Sequence, residues 1–218
     1  MSFVQNVLST TLHTMVYHMR YSGAHVIHKE NVAEHSYYVT LLADLFARDI
    51  TEQYSVSLDR LKILQMALYH DTEEAYTGDL ITPVKNKSQE LKKEWDKMCL
   101  MMMKEGLNHD FPGHSHIIQH ISNIHEKYEE GKNSLLENQI VKFADGVQSI
   151  VYLLREIGFG NKHVYPILRN IMGSIHMRFD DHRFLEKYVK ELEKVVENSL
   201  NGNCTIPTSA LQVSTSMK

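Results

Sequence analysis

Two histidines and two aspartates are the residues of this sequence whose types and spacing could bind a metal ion. His70 and Asp71 are adjacent, His35 lies before them, and Asp145 follows much later in the chain. Imidazole nitrogens and carboxylate oxygens together suit a divalent transition metal. Four such ligands leave positions open for water and a phosphate oxygen, which is the requirement of metal-assisted hydrolysis.

The His-Asp dipeptide carries little information by itself, because the sequence has 14 histidines and contains a second copy at His109-Asp110. That copy lies in the turn-like sequence NHDFPG, and we interpret it as a surface turn. The residues before His70-Asp71 are instead apolar at helical spacing, so both side chains are predicted to lie beside the core.

Taken singly, His35 and Asp145 could each be a buried polar group that is satisfied separately. Both are predicted on the core-facing stripes of their helices, and a buried imidazole or carboxylate needs a partner. Considered together with His70-Asp71, they favour one shared metal site built on rigid helices.

Two further residues could take part in phosphate chemistry. Glu74 is one predicted helical turn beyond His70, where a general acid or base would stand, although it could also be a solvated carboxylate, as we predict for Glu73. Arg20 could bind a phosphate with its planar guanidinium, or be a solvated arginine at a helix end.

Apolar residues recur at intervals of three and four, which predicts an all-α fold. The predicted helices cover residues 3–19, 31–50, 58–76, 89–106, 117–128 and 134–158, one segment from 166, and residues 181–200. Residues 79–83 are predicted to be an extended loop because a proline ends it. Inward-facing positions are predicted at Val4, Leu8, Leu12, Met15, Met19, Val32, His35, Val39, Leu42, Phe46, Leu61, Leu64, Leu68, Leu91, Trp95, Met98 and Met102.

The composition is that of a globular chain, with 218 residues, 43% hydrophobic and 23% charged. We predict a single domain over residues 1–200 and a disordered tail over 201–218. The formal charge of -4 is spread along the chain, so long nucleic acid is not an expected partner. Two cysteines, no signal peptide and no apolar stretch of membrane length predict a cytoplasmic protein that does not enter a membrane.

Three stretches of the sequence resemble a known family. They are ENVAEHS at residues 30–36, YHDTEEAYTGDLITPVK at 69–85, and KFAD at 142–145. Together they are similar to the YfbR-like 5′-deoxynucleotidases of the HD superfamily, over roughly residues 1–190. The resemblance implies an HD-domain helical bundle with one divalent metal, Co, Mn, Zn or Mg, held in the core by His35, His70, Asp71 and Asp145.

The same resemblance implies roles for the residues around the metal. The implied reaction removes the 5′-phosphate from 2′-deoxyribonucleoside monophosphates. Glu74 would act as the acid or base with Asp71 beside it, and Arg20 would face the substrate phosphate near His35. Tyr21 stands where the family usually has tryptophan, so selectivity for deoxyribose is left open. The loop that would hold the sugar is formed by Asp79, Leu80, Ile81 and Thr82.

Several alternatives stay open at this point. An enzyme of the same fold could act on deoxynucleoside triphosphates such as dATP, with Lys85 and Lys87 as additional cations. A metal-stabilised regulatory module without turnover is less favoured, because Glu74 and Arg20 are both present. His116 and His120 are spaced i, i+4 and could bind a second metal, although no acidic residue lies between them. A homodimer or higher homo-oligomer is expected, with the base preference undetermined.

Overall fold

The computed structural model describes residues 2–78, 88–128 and 135–201. Helices make up 77% of the structure and its described residues contain no strand, so the predicted all-α class is confirmed. Short 3-10 helices cover Thr11–Val16 and Lys162–Val164. The α-helices are α1 (Phe3–Ser9), α2 (Val32–Tyr54), α3 (Arg60–Tyr69), α4 (Glu74–Thr77), α5 (Gln89–Asp110), α6 (Ser115–Tyr128), α7 (Leu136–Gly158), α8 (Tyr165–Phe179) and α9 (Glu186–Leu200).

The chain divides into two compact units. The first comprises residues 1–23 and 29–144, and the second comprises residues 24–28 and 145–218. The candidate residues His35, His70, Asp71 and Glu74 all belong to the first unit, whereas Asp145 belongs to the second. The single domain expected over residues 1–200 stays a prediction.

The first helix is shorter than predicted. It ends at Ser9, and Thr10 adopts an extended conformation while its hydroxyl caps the following 3-10 helix by accepting from the backbone N–H of Leu12. The predicted inward positions Val4 and Leu8 are 65% and 74% exposed. The expected helix over residues 3–19 is therefore wrong, because hydroxyl side chains compete with the helical backbone for hydrogen bonds.

Helix α2 begins as the sequence predicts. The Asn31 side chain accepts from the Glu34 N–H, and the Glu34 side chain accepts from the Asn31 N–H, which confirms the predicted capping box. Val32, His35 and Val39 are buried as expected, and the helix continues past residue 50 to Tyr54. This helix places His35 in the interior of the first unit.

The predicted helix over residues 58–76 is interrupted. Helix α3 ends at Tyr69, and the chain then makes a tighter turn in which Thr72 N–H donates to the Tyr69 carbonyl and Glu74 N–H donates to the Asp71 carbonyl. Two predicted inward leucines are exposed, Leu61 by 65% and Leu68 by 50%. The expected end at Gly78 is confirmed, since Gly78 has φ 71°.

Helix α5 continues through the glycine that was expected to end it. Gly106 lies inside the helix, and a Cβ at this position would come within 2.2 Å of the Tyr76 ring. The buried face carries Cys99, Met103 and Leu107. The predicted inward stripe is therefore wrong for Leu91 and Met98, which are exposed, whereas Trp95 and Met102 are partly buried. Three consecutive methionines make several helix faces equally apolar, and packing against the rest of the first unit selects one.

The remaining helices follow the predicted order. Helix α7 ends at Gly158 and helix α8 begins with proline in its first turn, both as expected. Helix α9 starts at Glu186 rather than residue 181. Within the second unit, the buried Glu156 carboxylate accepts from the backbone N–H groups of Ile27 and His28 and from the Asn161 amide.

Some predictions fall on parts of the chain that the structure does not describe. They are the sugar-binding loop over residues 79–82, the lysines at 85 and 87, the capping residue at 134, and the tail beyond residue 201. Within the described residues, no helix is both long enough and apolar enough to cross a membrane.

Candidate metal centre

Three of the four predicted metal ligands converge in the first unit. His35 comes from the first turn of α2, and His70 and Asp71 follow the last residue of α3. His70 Nε2 lies 3.2 Å from His35 Nε2 and 3.1 Å from Asp71 Oδ2, and His35 Nε2 lies 3.6 Å from the same carboxylate oxygen. Two imidazole nitrogens and one carboxylate oxygen thus face a common point.

The orientation of His70 leaves the correct nitrogen for a metal. Its Nδ1 lies 2.8 Å from the carbonyl oxygen of Ala67, and since a carbonyl only accepts, Nδ1 carries the hydrogen. In the neutral imidazole the lone pair is then on Nε2, which points at His35 and Asp71. Hydrogen bonding of the second ring nitrogen is the usual way in which proteins orient metal-binding histidines.

Asp71 is held in its ionised form by its neighbours. Burial by itself raises the pKa of this carboxyl, but His70, His35 and Arg20 favour the negative charge more strongly. The net result is a pKa well below the ordinary value for aspartate. Arg20 contributes through its Nη1, which lies 3.8 Å from Asp71 Oδ2.

Glu30 is a site residue that the sequence interpretation missed. Only 7% of it is exposed, and its Oε2 lies 3.8 Å from both Arg20 Nε and His35 Nδ1. It therefore links the arginine to one of the ligand histidines. The available signal was its place within the ENVAEHS stretch, directly before the capping box of α2.

The backbone holds Arg20 beside this cluster. Arg20 N–H donates to the Glu30 carbonyl at 2.9 Å, and Val32 N–H donates to the His18 carbonyl at 3.0 Å. These bonds pair the two short segments in antiparallel fashion. Tyr21 follows with φ 56°, and the Arg20 guanidinium carbon lies 5.6 Å from the centre of its ring.

Glu74 is buried close to the candidate ligands. It is 6% exposed, and one carboxylate oxygen each from Asp71, Glu73 and Glu74 lie within 4.8 Å of one another. The interruption after α3 produces this proximity, because the tight turn brings successive carboxylates together. A solvated position for Glu74, the alternative left open by the sequence, is therefore excluded.

Glu73 is not the solvated carboxylate that we expected. Its side chain is 13% exposed, and its Oε2 lies 3.3 Å from Nδ1 of His125 on helix α6. His125 is itself 5% exposed. The prediction for Glu73 is wrong, since nothing within its own helix indicates that a second helix covers it, and no local signal could have identified His125.

The other candidates from the sequence are one aspartate, one histidine pair and the second His-Asp dipeptide. Asp145 is partly buried on helix α7, and its role as a ligand stays a prediction. His116 and His120 are exposed and join no possible metal-binding group in the described parts of the chain. The expected surface turn of the second dipeptide is only partly right: His109 is exposed and a turn follows at residues 111–113, but Asp110 is 7% exposed and ends helix α5.

The donor set fits a divalent metal. His35, His70 and Asp71 offer two nitrogens and one oxygen whose mutual distances lie within 4.8 Å, and both imidazoles are fully buried. Borderline metals such as Zn²⁺, Co²⁺ or Mn²⁺ accept mixed nitrogen and oxygen ligands of this kind. A further ligand and water would complete the coordination.

Comparisons of the sequence with known proteins identify relatives. Residues 8–192 match the model of the 5′-deoxynucleotidase YfbR-like family. A 5′-deoxynucleotidase of Vibrio parahaemolyticus is 34% identical over 139 residues, which are 61% of this chain and 65% of that protein. A 5′-deoxynucleotidase of Vibrio cholerae is 28% identical over 78% of this chain and 86% of its own length.

Two of the solved structures with a similar fold are HD phosphohydrolases. An HD-domain phosphohydrolase from Listeria innocua has a TM-score of 0.70 and 24% identity, covering 97% of both chains. The HD phosphohydrolase of cyanophage S-2L, solved with dA and one catalytic Zn²⁺ ion, has a TM-score of 0.62 and 18% identity over 86% of this chain and 95% of its own. At these identities the similarity establishes the fold, and it confirms the predicted HD-domain class.

Proposed function

The chain belongs to the YfbR-like 5′-deoxynucleotidase family, and from this premise we propose that its metal centre removes the 5′-phosphate from 2′-deoxyribonucleoside monophosphates. The observation that carries the proposal is the convergence of His35, His70 and Asp71, with Glu74 buried beside them. A monoester phosphatase needs an electrophilic centre, an activated water and a cation for the phosphoryl group.

The ligands of the proposed site are His35, His70 and Asp71 with Asp145 as the fourth. The chemistry that a bound divalent cation supplies is Lewis acidity toward a phosphoryl oxygen. The protein residues preorganise this position, because His70 is oriented by the Ala67 carbonyl and Asp71 is kept ionised by His70, His35 and Arg20. We propose Zn²⁺, Co²⁺, Mn²⁺ or Mg²⁺ as the occupant.

Glu74 is the proposed acid and base. Its carboxylate is buried within reach of Asp71, so it can take a proton from the attacking water and return one to the leaving nucleoside oxygen. Burial excludes bulk water from this exchange. Glu74 thereby acts as the base toward the attacking water and as the acid toward the leaving oxygen, and it does not bind the metal.

Arg20 is the proposed phosphate-binding cation. Its guanidinium is 3.8 Å from both Asp71 and Glu30, so it stands at the edge of the cluster with its position fixed by two carboxylates. A planar guanidinium can bind two phosphoryl oxygens at once and offset their developing charge.

The nucleoside contacts are proposed by similarity with the family. Tyr21 would contact the sugar next to Arg20, and Asp79, Leu80, Ile81 and Thr82 would hold it from the loop outside the described residues. We also propose a small-molecule deoxynucleotide as the partner, a homo-oligomeric assembly and a cytoplasmic location.

A substrate panel tests the proposal. Metal-stripped protein is supplied with Co²⁺, Mn²⁺, Mg²⁺ or Zn²⁺, and phosphate release is measured from dNMPs, NMPs and dNTPs. The expected result is the highest kcat/KM for deoxynucleoside monophosphates with at least one metal. Release of intact triphosphate from dATP at a higher kcat/KM than phosphate from dAMP would favour the triphosphohydrolase, and no turnover with any metal would favour the regulatory module.

A further inference from the structure

Two consecutive glutamates, Glu73 and Glu74, occupy the turn that carries the metal-binding Asp71. Their carboxylates and that of Asp71 lie within 4.8 Å of one another. Negative charges this close repel strongly where water is excluded, and any of them could bind a cation. Which of the two glutamates acts beside Asp71 therefore depends on the contacts that each side chain makes.

The structure provides this contact from a different helix. His125 on α6 places Nδ1 3.3 Å from Glu73 Oε2, and both side chains are largely buried. A buried carboxylate is costly unless polar groups lie near it, so the imidazole favours the Glu73 conformer that faces α6. Glu74, which is 6% exposed, lies on the same turn, and each glutamate has a carboxylate oxygen within 4.8 Å of one from Asp71.

The same face of α6 contacts the metal centre a second time. Tyr128 lies three residues after His125, and residues at this spacing share one side of a helix. Its ring packs edge-on against the ring of His70, with 5.2 Å between the ring centres. Helix α6 thus contacts the chain on both sides of Asp71, through Tyr128 at His70 and through His125 at Glu73.

We propose that His125 is a positioning residue that holds Glu73 toward α6, so that Glu74 and not Glu73 supplies the working carboxylate beside Asp71. The catalytic part of this inference rests on the proposed function of Glu74. Its structural part concerns only which carboxylates can reach a bound metal, and it can be tested without a substrate.

A double-mutant cycle tests the catalytic part. His125→Leu removes the partner of Glu73, and we expect kcat to fall about ten- to a hundredfold, the usual effect of a misplaced reacting group, with a smaller change in KM. The combined His125→Leu and Glu73→Gln variant removes the competing charge, and kcat should recover to within about threefold of the wild type. An equal or larger loss in the combined variant would overturn the proposal, because a merely structural role of His125 is not rescued by changing Glu73.

The Co²⁺ form tests the structural part. Released Glu73 should reach the cation in His125→Leu, so the visible absorption of bound Co²⁺ should change as the coordination changes, and should return in the combined variant. An unchanged spectrum in His125→Leu would overturn the proposal. If the wild type released no phosphate but these spectral changes were observed, the positioning role would stand and the proposed function would fail.

Two further variants complete the experiment. His116→Leu changes an exposed histidine on the same helix and should leave kcat and the Co²⁺ spectrum unchanged. Thermal unfolding of each variant shows whether it is folded. If His125→Leu does not fold, the smaller His125→Ala, which also lacks a donor for Glu73, takes its place in the same cycle, with the same expected and contrary results.

Discussion

The hydroxyl group of Tyr76 donates a hydrogen bond of 3.0 Å to the Asp110 carboxylate. Asp110 also accepts from the hydroxyl of Thr10 at 2.8 Å and from both the backbone N–H and the hydroxyl of Thr11, at 2.7 and 3.0 Å. One buried carboxylate therefore joins the segment after α1, the end of α5 and the short helix that begins with Glu74. The aspartate of the second dipeptide is structural.

This arrangement predicts that Asp110→Asn destabilises the protein in a pH-dependent way. Burial raises the pKa of Asp110, but the bonds from Thr10, Thr11 and Tyr76 outweigh it, so the pKa is lower than usual in the folded state. His109 Nδ1, 3.5 Å away, is the other titratable group that faces it. Stability from a depressed pKa is complete above the unfolded value, about 4, and is lost as the pH falls through the folded value.

The measurement is the free energy of unfolding of metal-free protein between pH 7 and pH 3. At pH 7 the asparagine variant should lose about 1–3 kcal/mol, because its amide group faces hydrogen-bond donors. The difference from the wild type should shrink as the pH falls below about 4. Asp96→Asn, on the exposed part of the same helix, should stay within about 0.5 kcal/mol. A difference that is constant with pH would contradict the assignment.

Gly106→Ala is expected to destabilise the protein although alanine favours helices. The new methyl group would come within 2.2 Å of the Tyr76 ring, and overpacking of this kind costs about 1–3 kcal/mol. Gly173→Ala, inside helix α8 with no atom within 4 Å of the added Cβ, is the matched control and should stabilise by up to about 1 kcal/mol. Chemical denaturation measures both, and an equal gain in the two variants would show that the Tyr76 ring moves freely.

His70→Ala or Asp71→Ala should abolish both metal retention and phosphate release. A ligand set that loses one member loses much of its affinity and its geometry. Metal content by mass spectrometry and turnover of dAMP check this expectation. His109→Ala, in the second dipeptide, has a side chain that is 90% exposed and should behave as the wild type in both measurements. Full metal content and a normal rate in His70→Ala would refute the metal assignment.

Glu74→Ala should keep the metal but lower kcat by about 10²- to 10⁴-fold, the usual contribution of a positioned acid or base. The metal stays because His35, His70 and Asp71 are unchanged. Metal content and kcat are measured on the same preparation. A variant with normal turnover would remove Glu74 from the mechanism, and one without metal would make it a ligand.

Tyr21→Ala should raise activity on AMP relative to dAMP. An aromatic wall beside the sugar leaves a ribose 2′-hydroxyl without a hydrogen-bond partner, which costs about 1–3 kcal/mol, or roughly ten- to a hundredfold in kcat/KM. Tyr21→Trp should keep or increase the preference for dAMP. Tyr17→Ala, at a tyrosine that is 77% exposed, serves as the control. An unchanged ratio of the two kcat/KM values in Tyr21→Ala would show that the sugar is recognised elsewhere.

Features that depend on a few neighbouring residues were determined by the sequence alone. The capping box of Asn31 and Glu34 starts α2, and glycines end helices at positions 78 and 158, because these signals act between residues at most four apart. The all-α class follows from periodicity in the same way. The motif around His70 and Asp71 also pointed to the side chains that lie beside His35, since its resemblance to a known family is highly specific.

The tertiary structure decided what depends on residues that are distant in the chain. Gly106 does not end its helix, which continues to Asp110. The Tyr76 ring packs where a side chain at position 106 would lie, so this glycine makes room for a distant residue. Asp110 is buried because partners from two other segments satisfy it, although its local sequence reads as a turn. Glu73 is covered for a similar reason, since its contact with His125 forms only when α6 packs against α3, and no periodicity within one helix encodes its neighbour.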